Sequence, residues 1–233
     1  MMRSRFQQEM QDLREKLLRM GGLAELAVDH ACQAYTDRDL ARCHIVLENE
    51  SLINAAEREI DELAFDILAT QQPAAVDLRF LLAVTKINSD LERVGDQAVN
   101  IAERVMDMIG LPAVELPVDI PRMATAASAM VRRALESFVE AKAEVAQAVL
   151  EMDHVVDRMR DEAFIMLVRK MNEQPQVTQQ ALDALLVARN LERVADHATN
   201  IAEDVIFWVR GFDVRHHAQP DMAAAQTAEG PKQ

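Results

Sequence analysis

Apolar residues recur every three or four positions along most of the chain, and the runs that keep this period are long. One run sets Leu91, Val94, Ala98, Ile101 and Val105 on one side of a helix turning 100° per residue. Interruptions are few. They predict six helices, over about 5–36, 40–70, 78–109, 120–141, 144–172 and 179–210. Asp39, Asp77 and Thr178 stand where N-caps belong. Pro73 and Pro175 stop the second and fifth helices, Gly110 and Gly211 close the third and sixth, and Pro121 suits the first turn of the fourth. Gly21 and Gly22 fall inside the first helix as a close-packing site or weak point. Residues 163–168 are all apolar, too short a run for a membrane, and read as buried helix.

Composition closes off the other fold classes. Aromatics make up 4% of the chain, with 6 Gly and 7 Pro, too few turn formers for a β-sandwich or barrel of 233 residues. The expected class is all-α. Net charge is −14, which opposes nucleic-acid binding and repels an anionic membrane surface. There is no apolar signal segment and no run approaching about 18 apolar residues, so neither export nor direct membrane insertion is expected. Cys32 and Cys43 read as small buried residues of a reducing compartment, and the expected location is cytoplasmic.

The chain is duplicated. Asp90-Leu-Glu-Arg-Val-Gly-Asp-Gln-Ala-Val-Asn-Ile-Ala-Glu103 returns as Asn190-Leu-Glu-Arg-Val-Ala-Asp-His-Ala-Thr-Asn-Ile-Ala-Glu203. Gln72-Pro73 answers Gln174-Pro175, and Glu50 with Asn54 answers Asp153 with Asp157. Two amphipathic helices share an apolar period by chance, but not the same polar residues as well. This predicts two tandem three-helix bundles: 1–110, a linker at 111–120, and 121–215. The Ala-, Gln- and Pro-rich tail at 216–233 is expected to lack fixed structure.

The repeated polar residues form stripes. Glu92, Asp96, Asn100 and Glu103 fall within a narrow arc of the third helix, opposite its apolar side, and Glu192, Asp196, Asn200 and Glu203 repeat them. The second helix adds Glu50, Asn54, Glu57 and Asp61, and the fifth adds Asp153 and Asp157. Such a stripe is ordinarily a solvated face. Here like charges four residues apart oppose helix formation, yet both halves keep them. Clustered hard oxygens suit Mg²⁺, Ca²⁺, Mn²⁺ or ferric iron, and a bound cation would relieve the repulsion. Arg93 and Arg193 follow the motif glutamates and are expected in ion pairs with a neighbouring helix. His197 is expected on a helix flank. Glu151 and His154 form an E-x-x-H without the second copy that a di-iron bundle needs. No nucleotide loop, nucleophile elbow or C-x-x-C is present, so nothing in the sequence supports catalysis.

LERVGDQAVNIAE and LERVADHATNIAE resemble the paired motifs of the PhoU family. Residues 18–22, 72–79 and 207–216 are similar to the same family, and the likeness runs in order from about 5 to 216. The resemblance implies two tandem three-helix bundles that form a homodimer. It implies a cytoplasmic negative regulator of phosphate uptake and of the phosphate-starvation response. The implied partners are the ATPase subunit of a phosphate ABC transporter and a phosphate sensor histidine kinase. It also implies metal at E/D-x-x-x-D motifs: multinuclear iron, otherwise Mg²⁺, Mn²⁺, Ca²⁺ or Zn²⁺. Carried over, these are Glu50 with Asn54 and Glu92 with Asp96, then Asp153 with Asp157 and Glu192 with Asp196. Asn54 departs from the carboxylate pattern and brings no charge. Two other readings stay open: a di-metal carboxylate enzyme on a helical scaffold, and a metal-free structural helical dimer.

Overall fold

A computed structural model describes residues 2–214, with side chains from residue 5; the expected tail at 216–233 lies outside the described residues. The helices are α1 (Met2–Asp37), α2 (Leu40–Gln71), α3 (Ala75–Ile109), α4 (Ile120–Glu140), α5 (Ala143–Glu173) and α6 (Thr178–Arg210). A short 3₁₀ turn, Pro175–Val177, leads into α6. At ~1.5 Å per residue the longer helices exceed about 45 Å. Among the described residues there are no strands.

The helix ends show which polar residues act as caps. Asp39 accepts from the backbone N–H of Ala41 at 2.9 Å and of Arg42 at 3.4 Å. Asp119 does the same for Arg122 at 3.0 Å. Asp77 and Thr178 do not cap. α3 begins at Ala75, which puts Asp77 inside the first turn, where its charge suits the helix dipole. The 3₁₀ turn makes Thr178 helical already, and its hydroxyl donates to the Pro175 carbonyl at 2.8 Å. Gly211 closes α6 in the left-handed region at φ 80, as its position suggested. Gly110 is right-handed at φ −70. The end of α3 is held instead by Arg38, whose guanidinium reaches the carbonyls of Met108, Ile109 and Leu111 at 2.6, 3.2 and 2.6 Å. Arg38 itself takes a left-handed φ of 53 in the turn between α1 and α2.

Helices α1–α3 form one bundle and α4–α6 the other. They meet along α3 and α6, with α1 also touching α4, and their buried residues make one continuous core. Close approach is set by small residues. A Cβ on Gly21 would stand 2.7 Å from Leu135 Cδ1 of α4, whereas Gly22 faces open space. A Cβ on Gly95 would stand 2.9 Å from Ile53 Cδ1 of α2. The repeat-related positions hold Ala195 and Val156, both buried. A methyl gained on one helix is matched by carbon lost on the other, which keeps the packed volume.

The apolar run 163–168 is not buried as a whole. Ala163 and Leu167 face the core, but Phe164 is 52% and Ile165 66% exposed, with Met166 and Val168 also open. A helix packed on one side can bury only positions spaced by three or four, so consecutive apolar residues must spill outward. Cys32 and Cys43 are both free and buried.

Candidate functional site

The acidic stripes of the first bundle lie along the seam between α2 and α3. Asn88, fully buried, donates to Asp61 Oδ1 and to the Glu57 carbonyl, each at 3.0 Å, which ties the helices together. The other half of that amide, Oδ1, is buried without a protein donor. Glu92 and Asp96 share the seam with Glu57. Burial, then the charges of Asp96 and Glu57, hold the Glu92 carboxyl above its ordinary pKa, with Arg93 and His197 opposing. Burial, Asp61 and Asp96 likewise raise Glu57. Among the described residues, none of Glu57, Asp61, Glu92 and Asp96 is in an ion pair. Glu50 is not among the carboxylates that crowd Glu57 or Glu92. Asn54 is half-buried beside the Ile53–Gly95 crossing, and Asn100 is exposed. The structure gathers Glu92, Asp96 and Glu57 in this seam. Glu57 was on the same stripe in the sequence, but only the register of α2 against α3 singles it out.

The second seam, between α5 and α6, brings together Asp153, Asp157, Glu192 and Asp196. Burial and Asp157 raise Asp153, burial and Asp196 raise Glu192, and burial and Asp157 raise Asp196. A cation already stands here. Arg160 lies 3.4 Å from Glu192, 3.9 Å from Asp157 and 3.1 Å from Asp161. Counting from Glu50 and Asp153, Arg160 occupies the position that Glu57 holds in the first half. The two seams thus carry opposite charge at this position and differ again where Asn54 answers Asp157.

Between the seams, α3 and α6 share a buried polar contact. His197 Nδ1–H donates to Asp90 Oδ1 at 2.9 Å, and Asn200 donates to the same oxygen at 3.2 Å. The His197 and Asp90 side chains are 8% and 11% exposed. His197 is therefore not a flank residue, and Asn200, expected in the acidic stripe, serves the contact between bundles. Arg93 and Arg193 are exposed and, among the described residues, in no ion pair; each stays within electrostatic reach of its own helix's acids. Glu151 and His154 face solvent.

The seam donors are hard oxygens with surplus charge, the right chemistry for a multivalent cation. In the first seam the orphaned Asn88 oxygen and the absence of a paired cation among the described residues strengthen that fit. In the second, Arg160 weakens it. Among the described residues no three His, Cys, Asp or Glu side chains already converge as an ion would need.

A PhoU domain model matches residues 17–105 and again 120–205. The chain belongs to the PhoU family. The two PhoU matches fall on the two bundles, and each contains one copy of the LERV motif. A phosphate-specific transport system accessory protein PhoU homolog of Pseudomonas aeruginosa is 41% identical over 214 residues, covering 91% of this chain and 88% of that protein. The accessory protein PhoU of Serratia marcescens is 32% identical over 211 residues, covering 91% and 87%. The crystal structure of PhoU from Pseudomonas aeruginosa superimposes with a TM-score of 0.85 at 39% identity, covering 89% of this chain and all of that one. The phosphate transport system regulatory protein PhoU from Streptococcus pneumoniae, at 24% identity and TM-score 0.80, shares the fold. Among the described residues no helix is long and apolar enough to cross a membrane.

Proposed function

We propose that this chain is a non-enzymatic, cytoplasmic regulator of phosphate uptake. It restrains a phosphate ABC transporter through the transporter's ATPase subunit and reports to a sensor histidine kinase, so that the phosphate-starvation response stays off while phosphate is plentiful. The observation that carries this reading is the repeated LERV helix pair at the centre of the PhoU fold, in a chain 41% identical to a protein named for phosphate-specific transport. Acting by contact requires a rigid body with paired surfaces, and two bundles joined through α3 and α6 supply one. It acts as a homodimer.

The acidic seams hold cations in this reading. Glu57, Glu92 and Asp96 would take one in the first bundle, where it would supply charge compensation and stiffen the α2–α3 seam. Asp153, Asp157, Glu192 and Asp196 form the second site, already part-neutralised by Arg160. The test is co-purification of the tagged chain with the ATPase subunit and the kinase from phosphate-replete and phosphate-starved cells. Phosphate-dependent recovery of both partners is expected, and recovery of neither under any condition refutes the adaptor role.

A further inference from the structure

Two motif segments, 72–79 and 207–216, have no part in the acidic seams. In the fold the described part of these segments, 72–79 and 207–214, meets the start of α1 at one end of the molecule. Phe80 of α3, Phe138 of α4 and Trp208 of α6 pack as a trio with ring centroids 5.0 to 5.8 Å apart. Arg14 of α1 lies over all three, its guanidinium carbon 5.3, 5.6 and 5.4 Å from the centroids of Phe80, Phe138 and Trp208. Arg79 joins the same corner: its Nε donates to the Trp208 carbonyl at 3.4 Å, and its guanidinium packs against Gly211. The corner lies about 18 Å along α3 from Glu92, twelve residues at ~1.5 Å each.

Arg14 is placed unlike most half-buried arginines. No carboxylate is near enough to shift it; desolvation is the one influence on its pKa, a lowering that leaves it charged at neutral pH. Among the described residues it is in no ion pair and donates no hydrogen bond to protein. The three rings hold its charge within cation–π range, and its N–H donors are left without protein acceptors among the described residues. Beside it opens a cavity of about 400 Å³ lined by Phe6, Met10, Gln11, Val76, Asp77 and Trp208 as well as Arg14. That is the size range of sites for small organic ligands, larger than a bare inorganic ion fills. α3 starts at this mouth with no side chain capping its first turn, and Asp77 in that turn offsets the positive end of the helix. The charged groups of the lining are Arg14 and Asp77, in a chain of net charge −14.

We infer that this cavity binds an organic oxyanion, a carboxylate or phosphate ester on a small apolar or aromatic body, with Arg14 as the anion fork and the Phe6–Met10–Val76 wall taking the body. Arg14 is held among three rings before the ligand arrives, so less side-chain entropy remains to be lost on binding. Asp77 is the cavity's opposing charge and sets an upper limit on affinity.

Trp208 is the chain's sole tryptophan, so its emission reads this site alone. The experiment titrates the full chain at low salt with phenyl phosphate, phenylacetate, inorganic phosphate and the neutral control benzyl alcohol. A saturable change with phenyl phosphate or phenylacetate is expected, and the tighter of the two identifies the source of the oxyanion. Arg14→Gln should weaken binding roughly 10–100-fold, the worth of a charge-assisted hydrogen-bond pair. Asp77→Asn should tighten it about two- to fivefold. If Arg14→Gln does not fold, the Asp77→Asn comparison decides. No saturable change with either organic anion, equal binding of benzyl alcohol, or affinities that ignore the substitution that folds would each overturn the assignment. Neither the transporter nor any cation enters this test, so its result is independent of the regulatory reading.

Discussion

Glu92→Gln separates a cation site from a merely crowded seam, because the two give opposite signs. In metal-free protein at pH 7, Glu92 repels Asp96 one turn away and Glu57 across the seam. The helical repulsion is about 0.2–0.5 kcal/mol, and a cross-helix contribution of similar size brings the total to about 0.5–1 kcal/mol. For a chain of this length that raises the melting temperature of the variant by about 1–4 °C. The pH dependence follows from the raised folded pKa values of Glu92 and Glu57. A carboxyl whose pKa rises on folding contributes stability that is fully present below its unfolded value, about 4.3, and is lost as pH rises through the folded value. Variant and parent should therefore differ little near pH 4 and separate toward pH 7. Adding Mn²⁺ at about 100 times its Kd should stabilise the parent by about 2.7 kcal/mol and the variant by less, reversing their order. The assay is calorimetry in chelator and in Mn²⁺ across pH 4–7.5. A variant that melts below the parent in chelator at pH 7 refutes the repulsion; an order that Mn²⁺ does not reverse refutes Glu92 as a ligand.

Asp90→Ala strands His197 Nδ1 and the Asn200 amide in the α3–α6 contact, and should cost about 2–4 kcal/mol by urea denaturation; a loss under 1 kcal/mol would mean that water replaces the carboxylate freely. Arg38→Ala frees the carbonyls that close α3 and should cost about 1–3 kcal/mol, with faster proteolytic cutting within 111–119 as the readout. Cys32, its thiol pushed up to about 12 by burial and by Asp29, should resist a thiol reagent at pH 8 in the folded chain and react once urea unfolds it.

Helix number, order and approximate ends were legible because the apolar period is long and punctuation sparse. The misreadings share one cause. Asp77 and Thr178 have the chemistry of caps, but a backbone hydrogen bond or a 3₁₀ turn had already begun the helix. The 163–168 run is apolar throughout, yet the one-sided packing of α5 decides which of its residues are covered. The stripes were legible as stripes. Which acids meet across a seam depends on the offset between antiparallel helices, and no helix carries that offset in its own sequence. Hence the crowding of Glu92 by Glu57, and the contact of Arg160 with Glu192 three residues past Asp157, emerge only in the fold.

The duplication explains what the halves keep and where they part. Apolar positions are constrained by a core both bundles share, and Gly95 with Ile53 against Ala195 with Val156 changes shape while holding volume. Polar positions at a pseudo-symmetric contact have no such bond to one another. Asp90 faces His197, while their repeat-related counterparts are Asn190 and Gln97, and Gln97 turns back to the Arg93 carbonyl on its own helix. A symmetric ancestor would carry the same pair twice, so at most one copy of the buried contact survives. The same logic reaches the seams. Glu57 adds a negative charge where Arg160 removes one, while Asp157 adds one where Asn54 brings none, so the two differences offset in part. Arg160→Glu removes the cation that pairs with Glu192 and Asp157, and under the proposed cation reading it should raise the second seam's Mn²⁺ affinity, measured by calorimetric titration; an unchanged affinity would refute the second site.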